Sequence, residues 1–74
     1  MTRLPTLNAR KLLRALKNAG FQEVRQRGSH LYLWHREKKR EICVPIHNRD
    51  LGRDLVRAIL QQAGLTLDDF WKAL

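Results

Sequence analysis

Apolar positions recur at two different spacings along this chain, and the change of spacing marks its elements. Leu12, Leu13, Leu16 and Ala19 fall on one side at helical spacing, with Arg10, Lys11, Arg14 and Lys17 gathered on the other, which predicts an amphipathic helix starting near Ala9. Thr6 or Asn8 supplies its N-cap, Gly20 its stop signal, and Phe21 folds back on its end. Residues 22–27 then read as a mostly polar strand with Val24 as its inward anchor. From His30 to His35 the pattern changes to strict alternation among bulky residues, the mark of a half-buried strand. Leu31 and Leu33 point one way; His30, Tyr32 and Trp34 point the other. Arg36-Glu37-Lys38-Lys39 forms a charged hairpin tip, and Arg40 to Val44 returns as a third strand with Ile42 and Val44 inward, ended by Pro45.

Beyond a loop from Ile46 to Asp50 the spacing is helical again. Leu51, Leu55, Val56, Ile59, Leu60 and Ala63 make one broad apolar face, and Gly64 closes the helix. Thr66-Leu67-Asp68-Asp69 is a further N-terminus with acids in its first turn, and Phe70, Trp71 and Leu74 give this short last helix its packing residues. The expected architecture is α+β: α-β-β-β-α with a short C-terminal helix, the helices covering one face of a three-stranded antiparallel sheet in a two-layer sandwich. The opposite face, with His30, Tyr32 and Trp34, is left for solvent or a ligand.

At 74 residues the chain reads as one domain, and any active site on it must be shallow. Charge changes the picture most. Fifteen Lys and Arg against seven Asp and Glu leave +8, a field that attracts polyanions, nucleic acid first among them. An anionic membrane or an acidic protein also fits that charge, although the apolar helix faces are already needed for the core. The basic, acid-poor opening imitates a transit peptide, but the sheet needs that helix as cover. With Cys43 as the single cysteine there is no intrachain disulfide framework, which suits a reducing cytoplasm.

His30, His35, His47 and Cys43 do not have the spacing of a zinc site, and a mid-strand thiol such as Cys43 is ordinarily packing material rather than a nucleophile. No metal or cofactor is therefore expected. Acid–base chemistry on RNA needs less equipment, because the ribose 2′-hydroxyl is an internal nucleophile beside the scissile phosphorus. His30, opening the best-specified strand after Arg27-Gly28-Ser29, is the candidate proton-transfer group. Tyr32 and Trp34 can stack a splayed base. Arg10, Lys11, Arg14, Lys17, Arg25, Arg27, Lys38, Lys39 and Arg40 are the candidate phosphate contacts. A non-catalytic RNA-binding module would use the same surface, and a lone histidine or an exposed aromatic ring is commonly plain surface.

Four stretches, in order, are Leu16-Lys17-Asn18-Ala19-Gly20-Phe21, Arg27-Gly28-Ser29-His30, Val44-Pro45-Ile46-His47 and Ile59-Leu60-Gln61-Gln62-Ala63-Gly64-Leu65-Thr66. In that order and spacing, over roughly residues 8–66, the chain resembles the HicA family of toxins from toxin–antitoxin modules. The resemblance implies a double-stranded-RNA-binding-like fold and ribonuclease activity on mRNA that stops translation. It also implies neutralisation by a HicB-type antitoxin, for which the positive charge here suits an acidic protein. The family's catalytic histidine falls on His30, with Ser29 and His47 as possible support. Where many members have Gly near the start of the second main helix, this chain has Asp54, with Gly52 two residues earlier.

Overall fold

The structure, a computed structural model, describes residues 8–46 and 50–73. Its elements run α1 (Ala9–Asn18), β1 (Phe21–Arg27), β2 (His30–His35), β3 (Arg40–Pro45), α2 (Arg53–Ala63) and α3 (Leu67–Ala73). The strands form one antiparallel sheet in the order β1-β2-β3. This is the expected α-β-β-β-α order with a short third helix. Thr6, His47 and Leu74 lie outside the described residues.

Helix α1 starts where Asn8 caps it, its side-chain oxygen accepting the Lys11 amide at 2.9 Å, a contribution of about 1 kcal/mol. Ala9, Leu12, Ala15 and Leu16 are buried, and Leu13 is only partly so. Helix α2 ends in a left-handed Gly64 (φ 71°), and Val56, Ile59, Leu60 and Ala63 form its buried stripe. These residues meet Leu31, Leu33, Ile42 and Val44 from the sheet, with Phe21 and Phe70 the largest fully buried side chains. Each such apolar side chain contributes about 1.5–3 kcal/mol by leaving water. Among the described residues no buried side-chain nitrogen or oxygen lacks a hydrogen-bond partner.

Three expectations fail. Val24 is not an inward anchor but 51% exposed. The strand begins one residue earlier, at Phe21, which takes the inward position at residue 21 and sets the alternation so that residue 24 faces out. A bulge between Glu23 and Arg25 then shifts the register by one residue. Leu55 also stays largely exposed, because it lies about 100° around the helix from Val56, at the margin of the stripe. Trp71 stands edge-on against Phe70, 5.7 Å between centroids, with much of its ring in solvent; Phe70 alone plugs the core.

Candidate functional site

The bulge decides what the open face of the sheet carries. Beyond it, Arg25 pairs with Tyr32, and Arg27 pairs with His30, so both arginines share a face with the alternating outward residues of β2. Without the inserted residue Arg25 and Arg27 would have turned to the helical side. The open face therefore holds Arg27 beside His30, Arg25 beside Tyr32, and Trp34. On β3 their partners are Pro45, Cys43 and Glu41 respectively.

Arg27 and His30 are the closing pair of a two-residue turn, Gly28-Ser29. Gly28 has φ 56°, a left-handed conformation that a side chain disfavours, and the Gln26 side-chain amide donates to its carbonyl at 3.0 Å. On the other side of the turn the Ile46 amide donates to the Ser29 carbonyl at 2.6 Å. His30 is thereby mounted on a backbone pinned from both neighbouring strands, while its side chain remains exposed. Its partner on the edge strand is Pro45.

Further along the face, the Arg25 guanidinium lies 4.4 Å from the Tyr32 ring centroid and reaches Glu41 at 3.4 Å. Tyr32 is half-buried under it, whereas Trp34 is 37% exposed. Of the two aromatic rings, Trp34 is the one free to take a stacked base. Cys43 is half-buried between these residues and pairs with no other cysteine.

The other basic residues separate into two groups. Arg10, Arg14 and Lys17, at i, i+4 and i+7 on α1, line a groove floored by Leu13 and Ile46; Lys11 is exposed on α1 but outside the groove. Lys17 also pairs with Glu23 of β1. At the hairpin tip, Lys38 donates to the Gly64 carbonyl (3.2 Å) and Arg40 to the Gln62 carbonyl (3.2 Å). They neutralise the carbonyl end of α2, where a cation suits the helix dipole. Lys39 at the tip has φ 54° and is exposed.

His35 was the residue whose role sequence reasoning missed. At 8% exposure it is a buried polar side chain, the one such among the described residues. Its Nδ1 accepts the Lys38 amide (3.0 Å), which places the proton on Nε2, and Nε2 donates to the Ala19 carbonyl (3.1 Å). Phe21 meets the ring edge-on at 5.0 Å. The available signal was its odd position in an alternating strand, in phase with Leu31 and Leu33. Its place and that of His30, at opposite ends and on opposite faces of β2, keep the two imidazoles from acting together.

At the start of α2, Gly52 is an N-cap with extended backbone (φ −65°), and Asp54 is exposed in the first helical turn. A carboxylate there complements the helix dipole. Among the described residues no helix is long and apolar enough to cross a membrane.

What these features define is a small basic α+β domain with one covered and one open sheet face. The family model described as HicA toxin of bacterial toxin–antitoxin modules matches residues 9–65, from the start of α1 to just past α2. The chain belongs to the HicA toxin family, which makes it the toxin of a toxin–antitoxin pair with an antitoxin as its partner. No curated protein matches it.

Proposed function

We propose that this toxin is a metal-independent endoribonuclease that cleaves mRNA in the cytoplasm and so stops translation, with His30 as its proton-transfer group. The observation that carries this reading is the Arg27–His30 pair, an exposed imidazole and a guanidinium closing one rigid turn. Directly opposed strand residues have Cβ atoms about 5 Å apart, close enough for both side chains to reach one phosphodiester. In the reaction, the 2′-oxygen attacks phosphorus and the bond to the 5′-oxygen breaks. The 2′-hydroxyl proton leaves to a base, and the departing 5′-oxygen takes a proton from an acid. His30 serves at one of these positions, and Arg27 stabilises the charge that builds on the phosphorane. Ser29 and His47 are candidates for support, and Trp34 holds a flanking base while Tyr32 seats the Arg25 guanidinium beside it.

The antitoxin is proposed to be of the HicB type and acidic at its contact surface, steered by the net charge of +8. It lies over His30, with the exposed Trp34 ring as an anchor.

Purified protein incubated with RNA in EDTA tests the activity. Wild type cleaves, and His30→Ala cleaves at least about a hundredfold more slowly, the usual size of a general acid–base contribution. Equal cleavage by both would sink the role of His30. RNA bound but never cleaved by wild type would establish a non-catalytic RNA-binding module instead.

A further inference from the structure

The basic groove on α1 and the aromatic face of the sheet belong to different layers. Helix α1 buries Leu12 and Leu16 against the covered face, the side of Leu31 and Leu33, whereas His30 and Trp34 stand on the opposite face. The two surfaces meet at one end of the sheet. Ile46, which floors the groove, donates its amide to Ser29, the residue immediately before His30. From Arg10 to Lys17 the groove's cationic stripe runs about 10 Å along α1 at the helical rise. It is a track for a short run of phosphates, and Ile46 on its floor links it to the turn that carries the histidine.

We infer that the substrate is a flexible single strand that bends around this end of the sheet, with the two flanks of the scissile phosphate on opposite layers. One flank lies in the α1 groove against Arg10 and Arg14, and the other lies on the open face against Trp34. This rests on the ribonuclease reading and adds the class of substrate it selects. The physical reason is stiffness. A nucleic-acid duplex resists bending over roughly 50 nm, whereas the domain's Cα extents are 35 × 29 × 17 Å. A duplex lying on one layer cannot turn within so short a distance to reach the other. A single strand has freely rotating backbone bonds and exposed base faces, so it can follow the groove, round the edge and stack on Trp34.

The test is equilibrium binding in the His30→Ala background, so that cleavage does not disturb the measurement. The probes are a long labelled single-stranded RNA of mixed sequence and its fully paired duplex. Arg10→Gln/Arg14→Gln and, separately, Trp34→Ala each weaken the single strand by about tenfold, on the scale of lost phosphate contacts and one stacked base. Trp34→Ala leaves duplex affinity unchanged. Arg53→Gln/Arg57→Gln on α2, which removes the same charge from outside the groove, has a much smaller effect. Equal losses from the α1 and α2 pairs would reduce the groove to diffuse electrostatics and overturn the path. So would duplex binding as tight and as Trp34-dependent as that of the single strand. A groove variant that binds RNA normally but loses antitoxin would assign the groove to the protein partner and also overturn it. If wild type cleaves no RNA, the catalytic reading fails by that observation alone, and the binding pattern still decides whether the strand bends around the sheet end.

Discussion

Gly20 and His35 are fitted to each other at the end of the sheet far from His30. A Cβ on residue 20 would stand 2.7 Å from His35 Nε2, and Gly20 itself has φ 108°. The absent side chain lets the imidazole reach past residue 20 to the Ala19 carbonyl, joining α1, β1 and the β2–β3 hairpin through one ring.

Gly20→Ala is expected to destabilise the domain for two additive reasons. The backbone strain alone costs about 1–3 kcal/mol, and the imidazole must shift as well. Thermal unfolding followed by circular dichroism should show Tm lower by at least about 5 °C, given how steeply Tm responds to stability at this size. An unchanged Tm would mean that the turn relaxes without disturbing His35.

His30 and His35 are expected to respond oppositely to alanine. His35→Ala leaves the Ala19 carbonyl and the Lys38 amide without their partner, a loss of about 2–4 kcal/mol for two part-buried groups. His30 is exposed, so His30→Ala stays within about 0.5 kcal/mol of wild type. Denaturant unfolding of both variants separates the two roles. Large destabilisation by His30→Ala would make its loss of cleavage uninterpretable as chemistry.

Helix α3 begins with a reciprocal cap: Thr66 donates its amide to the Asp69 carboxylate (3.0 Å), and the Thr66 hydroxyl accepts the Asp69 amide (3.1 Å). The Thr66 amide is the main reason the Asp69 carboxyl titrates below its ordinary value of 3.8, followed by the Thr66 side-chain bond. A carboxyl lowered by folding stabilises the fold when ionised, above its ordinary value. That contribution is lost as pH falls through the lower folded value. Acid unfolding of wild type and Asp69→Asn should therefore converge below pH 3.8 and separate above it. Thr66→Ala should cost about 1 kcal/mol at neutral pH. Identical acid limbs for wild type and Asp69→Asn would remove the cap from the stability of α3.

Trp34→Ala is expected to weaken antitoxin binding about tenfold or more while leaving Tm nearly unchanged, as for an exposed interface anchor. Isothermal titration with the purified antitoxin reads the first quantity and calorimetry of the free toxin the second. Unchanged affinity would take Trp34 out of the interface; a large fall in Tm would make it part of the core.

Local sequence determined much of this protein. The alternation from His30 to His35 assigned that strand and its two faces without ambiguity, because neighbouring strand residues must point opposite ways. Asn8, Gly64 and the Thr66–Asp69 cap were legible for the same kind of reason: each satisfies backbone groups within a few residues of itself. The turn before His30 was readable from Gly28. What tertiary structure alone decided was everything set by pairing across the chain. The polar first strand has too few apolar residues to declare its phase, so only its register with β2, and the bulge that interrupts it, put Val24 outside and Arg25 and Arg27 beside Tyr32 and His30. Likewise, Lys38 and Arg40 read as part of a free basic tip, yet they cap a helix more than twenty residues away in sequence. His35 looked like one more histidine on a strand. It became the pin of the fold because helix α1 ends where its ring can reach a carbonyl, and nothing local to residue 35 encodes that meeting.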